Sequence, residues 1–137
     1  QEIAQEAALG NSQNIWVDGS LRDGQWFKKV FTNLRERFPT YRIGIFYVYS
    51  SEEIIRKRVA SRAANTGRGV PEETLKASLD APDKSLGILM PLVDFVARIS
   101  NDESTPQLTA FESVDRTGTW LSIQRRFAKT QASRVRP

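Results

Sequence analysis

The stretch Tyr41 to Tyr49, YRIGIFYVY, constrains this chain more than any other, because it is almost continuously β-branched and aromatic. A run of that kind reads as a strand covered on both faces, the situation of a parallel sheet packed between helices. The segments around it alternate between strand and helix signals. Asn14 to Asp18 (NIWVD) is a short apolar run bounded by turn residues and reads as a buried strand. Asp23 is placed to cap a helix from Gly24 to Phe38, with Trp26, Phe27, Val30, Phe31 and Leu34 at helical spacing. Pro39 ends that helix.

Beyond Tyr49, Ser50 and Glu53 fit a capping box. The helix they open carries Ile55, Val59 and Ala63 on one side, and Gly67 stops it. Pro71 opens a helix from Glu72 to Leu79, and a second helical stretch covers Lys84 to Leu92. Val93 to Ile99 reads as a third strand and Gln107 to Val114 as an edge strand. Thr117 to Ala128 reads as a last helix, and Glu2 to Leu9 as a first one ended by Gly10. Strands alternating with helices predict an α/β fold, a parallel sheet with flanking helices. The expected organisation is one domain over residues 1–128 and a basic flexible tail over 129–137.

Composition narrows the chemistry. The 137 residues include no Cys and no His. Disulfides, thiolate metal sites and imidazole bases are excluded. Any metal must sit on oxygen ligands, which favours Mg²⁺ or Ca²⁺ over Zn²⁺. No apolar run approaches the roughly 20 residues of a membrane span, and no signal peptide is visible, so a cytoplasmic protein with no membrane partner is expected. The net charge of +4 is uneven: Arg116 to Pro137 holds six cations and no acid, leaving 14 of the 20 cations against all 16 acids elsewhere. Such a tail suits nucleic acid or acidic lipid, or simply a solvated end.

Three constellations carry possible chemistry. Asp18-Gly19-Ser20-Leu21-Arg22 follows the first strand signal. In open α/β sheets ligands bind beyond the carboxyl ends of strands. There an acid holds Mg²⁺ through water or accepts a substrate hydroxyl, and Arg22 grips an anion; the plain alternative is a turn with a helix-capping acid. Arg56, Lys57, Arg58, Arg62 and Arg68 form a run of five cations with no acid between Ile54 and Val70. Arg58 and Arg62, four apart, share a helix face, a like-charge arrangement costing about 0.2–0.5 kcal/mol that a polyphosphate reverses. Asn65-Thr66-Gly67-Arg68-Gly69 then suits a lid over a nucleotide; the alternative is a solvated basic face. Asn101-Asp102 follows the third strand and either contributes to a site or only terminates the strand.

Taken in order, NIWVDGSLRD (14–23), RVASRAANTGRGVP (58–71) and the strand from Val93 to Asp102 with its preceding Pro91-Leu92 resemble the zeta-toxin family of P-loop kinases, over about residues 1–102. The resemblance implies a partial P-loop NTPase fold of the nucleoside-kinase type and an ATP-dependent, Mg²⁺-assisted small-molecule kinase. It implies that Arg58, Arg62 and Arg68 stabilise the transferring phosphoryl group. It places Asp18 toward substrate or the Mg²⁺ hydration shell, Arg22 in the substrate cleft and Asn101 near the adenine. Bacterial toxins of the family phosphorylate UDP-N-acetylglucosamine; that substrate is not carried over, and the expected partners are a nucleotide and an unidentified hydroxyl-bearing small molecule. Two other readings stand beside this one: a non-catalytic binding module of the same fold, and a nucleic-acid-binding or polynucleotide-kinase-like protein.

One departure is large. No G-x-x-x-x-G-K-[ST] occurs in the chain. The resemblance implies that the phosphate loop and the central strand leading into it precede Gln1. That strand belongs between Ile15–Val17 and Ile43–Val48, so either another polypeptide segment supplies it or the two flanking strands pair directly.

Overall fold

The computed structural model describes residues 2–113 and 119–127. The first helix, α1, spans Glu2–Gly10, and α2 spans Gly24–Arg37. Strand β1 (Gly44–Tyr49) is followed by α3 (Glu52–Thr66), α4 (Glu72–Leu89) and a 3₁₀ turn (Met90–Leu92). Strands β2 (Phe95–Ser100) and β3 (Gln107–Ser113) and helix α5 (Trp120–Phe127) complete the described elements. The architecture is mixed α/β, a three-stranded sheet in the order β1-β2-β3 with flanking helices.

The sheet is not wholly parallel. β1 and β2 run parallel, Gly44 opposite Phe95 through Tyr49 opposite Ser100, but β3 runs antiparallel to β2. The reason is chain length: six residues join β2 to β3, whereas a parallel neighbour requires a crossover of about a dozen or more. β1 is also shorter than its sequence signal. The Ile43 N–H leaves the ladder and donates to the Asp94 carboxylate at 2.7 Å.

The core lies mainly on one face of the sheet. Ile43, Ile45, Leu86, Leu89, Val93 and Val96 are buried together there, with Phe27, Phe31 and Leu34 of α2 packed against them. Asp23 caps α2 as its position predicts, its Oδ1 accepting from the Trp26 N–H at 2.9 Å. α2 crosses α4 closely at Gly24, where a Cβ would stand 2.9 Å from the Ser85 Cα. On the opposite face Phe95 and Ala97 are buried, with Phe46, Phe111 and Trp120 around them.

Three further expectations are corrected. The two helical stretches around Pro82 are one helix, with Pro82 inside it. A proline there sacrifices a backbone bond, at about 3 kcal/mol, but Leu75, Leu86 and Leu89 are buried along the same helix, and each such burial contributes roughly 1.5–3 kcal/mol. The capping box at Ser50 and Glu53 does not form: Ser51 is the N-cap of α3, and Glu53 pairs with Lys57 instead. Most consequential, Asn14 to Asp18 is not a strand. Residues 14–22 make no backbone hydrogen bond to β1 or to any other described strand. Trp16 is 75% exposed and touches β1 only through its ring, 5.1 Å from Phe46. A lone extended segment has no ladder to hold it, and among the described residues none lies beside it. Direct pairing with β1 is therefore not what is found.

Candidate functional site

The carboxyl ends of β1 and β2 lie side by side, because the two strands are parallel and in register to Tyr49–Ser100. The chain leaves β1 at Ser50 and enters α3; it leaves β2 at Asn101. These two exits are joined by a polar cluster. The Asn101 N–H donates to the Tyr49 carbonyl at 2.8 Å. The Asn101 carbonyl accepts from Ser50 Oγ at 3.0 Å and from Arg58 Nη2 at 2.7 Å. Arg58 Nη1 also donates to Ser50 Oγ at 3.0 Å. Asp102 Oδ1 accepts from the Ser51 N–H at 2.7 Å. The guanidinium of Arg58 is thus held against the strand ends, the position where ligands bind in sheets of this type.

The other cations of α3 and of the loop that follows it divide into two groups. Arg56 is consumed by acids: Glu72 meets it through both carboxylate oxygens at 2.6 and 2.8 Å, and Glu52 from one turn earlier. The side-chain hydrogen bonds from Glu72 and then Glu52 push the Arg56 pKa further up, and the Arg56 guanidinium holds the Glu72 carboxyl below its usual range. Lys57 is paired with Glu53. Arg62 and Arg68 are exposed, and among the described residues neither side chain has a hydrogen-bond or ion-pair partner. Gly67 between them adopts the left-handed conformation, φ 68°, which turns the chain out of α3.

Residues Asp18 and Arg22 sit elsewhere. Asp18 is exposed on the segment between α1 and α2 and makes no hydrogen bond or ion pair among the described residues. Arg22 donates to Ser20 Oγ at 3.3 Å and reaches Ser78 Oγ of α4 at 3.5 Å. The structure therefore brings Arg58 and Asn101 into contact, and it makes no contact between Asp18 or Arg22 and the three arginines.

The sequence profile of the zeta toxin family matches residues 1–104. The chain belongs to the zeta toxin family. Its match ends just past Asp102, so it covers α1 through β2 and the whole polar cluster. No match was found among curated proteins or among solved structures. Membership in the zeta toxin family supports a kinase-like, nucleotide-binding P-loop relationship at a coarse level. Among the described residues no helix is long and apolar enough to cross a membrane. Also among them, no three or more acidic side chains gather into a group able to hold a metal ion. The boundary proposed at residue 128 and the basic tail 129–137 lie outside the described residues.

Two participants are not foreseen in these roles by the sequence pattern. Ser50 reads as a helix cap but bridges two strand ends, and Asp102 reads as a strand terminator but holds the backbone of Ser51. Both contacts join residues 51 apart, a separation at which local patterning carries no information. The only available signal is that each polar residue immediately follows a strand.

Proposed function

We propose that this zeta toxin family chain is the arginine-bearing part of an ATP-dependent phosphotransferase, acting in the cytoplasm on a hydroxyl-bearing small molecule. The observation that carries the reading is the contrast within α3. Arg58 is fixed against the carboxyl ends of β1 and β2, while Arg62 and Arg68 are left without partners on the same arm. Unpaired arginines on an arm rooted at the strand ends suit the charge that develops on a transferring phosphoryl group. The partial P-loop fold implied by the family fits this arrangement. ATP with Mg²⁺ supplies the phosphoryl group and the charge neutralisation. Asp18, exposed and without a partner among the described residues, fits contact with Mg²⁺ through the ion's water shell, since no acid cluster accompanies it among them. Arg22 faces the substrate in this reading, and the side chain of Asn101 the adenine.

The phosphate loop is not within these 137 residues, so the reading assigns it to a polypeptide segment outside them, along with the acid–base group. The experiment is phosphoryl transfer from radiolabelled ATP by the product of the whole reading frame. Arg62→Ala with Arg68→Ala lowers turnover about 10³-fold or more if both act on the phosphoryl group. Turnover unchanged in the double variant, or no transfer by the parent protein to any hydroxyl-bearing acceptor, overturns the reading.

A further inference from the structure

Helix α3 is attached to the rest of the fold in an unusual way. None of its residues is buried. Its sides carry Ile55 and Val59 only half covered. The hydrophobic term that ordinarily fixes a helix is therefore small, and its orientation rests on polar contacts: the Arg56–Glu72 pair to α4, and those at its root to the end of β2. The N-cap position is Ser51, and the Ser51 hydroxyl makes no capping bond. In a capping box the N-cap N–H is satisfied by an acid three residues into the helix. Here that place is taken by Ile54, and the N-cap N–H is satisfied by Asp102, from the end of β2.

We propose that Asp102 is a positioning residue for the anion-binding arginines. Its carboxylate anchors the first residue of α3 and places a negative charge beside the positive end of that helix. The second contact, Arg58 to the Asn101 carbonyl, is about two turns further along and closes the brace. Together they make a two-point hinge between α3 and the end of β2. Arg62 and Arg68, beyond the hinge, are carried wherever that hinge aims them. Without Asp102 the N-terminal turn of α3 frays, Arg58 loses its fixed approach to Asn101, and the free arginines scatter. Asp102 itself touches no phosphate in this scheme. The inference rests on the reading that Arg62 and Arg68 meet a phosphate anion.

The test uses the whole 137-residue chain, inorganic tripolyphosphate as the probe, and the variants Asp102→Ala and Asp102→Asn. Asparagine keeps a side-chain oxygen able to accept from the Ser51 N–H, so it separates the hydrogen bond from the charge. Asp102→Ala is expected to weaken tripolyphosphate binding about fivefold, the equivalent of losing a helix cap, and to raise amide exchange in residues 54–60 by a similar factor. Asp102→Asn is expected to recover most of both. Exchange in α2 and β2 stays at the parent level. Parent-level exchange in α3 of Asp102→Ala, with the parent chain binding the probe, overturns the inference alone. A parent chain that binds no tripolyphosphate even at about 10 mM, well above the millimolar Kd of arginines without a phosphate loop, overturns the arginine reading and, with it, the role assigned to Asp102. Loss in Asp102→Ala with no recovery in Asp102→Asn overturns the hydrogen-bond argument.

Discussion

Arg35 on α2 and Asp94, the residue before β2, form a 2.8 Å ion pair with both side chains about 30% exposed, at 31% and 27%. The same Asp94 oxygen accepts from the Ile43 N–H, and Arg35 further donates to the Leu92 and Tyr41 carbonyls. One carboxylate and one guanidinium thereby join α2, the entry to β1 and the 3₁₀ turn. Removing Asp94 strands a partly buried cation and a backbone donor together, so Asp94→Ala is expected to lower stability by about 2–3 kcal/mol. Asp94→Asn retains an acceptor and is expected to lose less. Urea unfolding midpoints of the three proteins decide it, and equal midpoints contradict the assignment.

Gly44 opens β1 directly opposite Phe95. A Cβ at Gly44 would stand 2.1 Å from the Phe95 ring, which is buried between Phe46 and Phe111. The ring has nowhere to retreat. Gly44→Ala is expected to cost roughly 1–3 kcal/mol through overpacking, and Gly44→Ala with Phe95→Leu to recover part of it. A neutral Gly44→Ala in thermal unfolding defeats the argument.

These two sites show what the sequence made legible and what it did not. The α2 stripe, the Asp23 cap and the Gly67 stop are local signals; the cap and the stop form as patterning predicts, and Phe27, Phe31 and Leu34 of the stripe pack on the core while Trp26 stays 45% exposed. β1 is readable because its run is nearly all β-branched and aromatic, although Ile45 alone of its residues is buried, and β2 through its buried Phe95, Val96 and Ala97. The contacts of Asp94, Ser50 and Asp102 span 51 residues or more, and nothing local marks them. Pro82 misleads because tertiary burial of Leu86 and Leu89 outweighs a local helix breaker. NIWVD misleads because an apolar run becomes a strand only beside another strand. Arg58 and Asn101 are legible as candidates, but their mutual contact is not.

The pair Arg56–Glu72 ties the start of α4 back along α3, and it sets an acid-side dependence. The Arg56 guanidinium holds the folded Glu72 carboxyl below its usual value. A depressed carboxyl pKa contributes stability that is present above the unfolded value near 4.5 and is lost as pH falls through the folded value. Glu72→Gln is therefore expected to be less stable than the parent at pH 7, by a margin that shrinks as pH falls below 4.5 through the folded value. Both groups are exposed, so the difference at pH 7 is small and shrinks further in high salt. A difference that does not shrink as pH falls below 4.5 contradicts the ion-pair origin.

β1 is an edge of the sheet, and its far side pairs with nothing among the described residues. The edge strand reads GIFYVY, without charge, proline or bulge, although exposed sheet edges are normally blunted by such features. Val48 is 54% exposed on that strand, and Trp16 stands over Phe46 from a segment that offers no backbone bonds of its own. An unblunted edge, with the unpaired segment of Trp16 in ring contact with it, fits a sheet that takes one more strand there. In the proposed kinase that strand leads into the phosphate loop, so the chain without it holds cations for the phosphates but no backbone cradle for them. Most of the affinity of such sites for nucleotide comes from the cradle's converging N–H groups and its lysine. Titration of the 137-residue chain with Mg·ATP is therefore expected to give a Kd no tighter than about 1 mM, roughly 4 kcal/mol of binding. Supplying the remainder of the reading frame in the same polypeptide is expected to bring the Kd into the micromolar range. Micromolar binding by the 137 residues alone, abolished by Arg58→Ala and Arg62→Ala, shows instead that these arginines suffice and that the bare edge of β1 has no part in nucleotide binding.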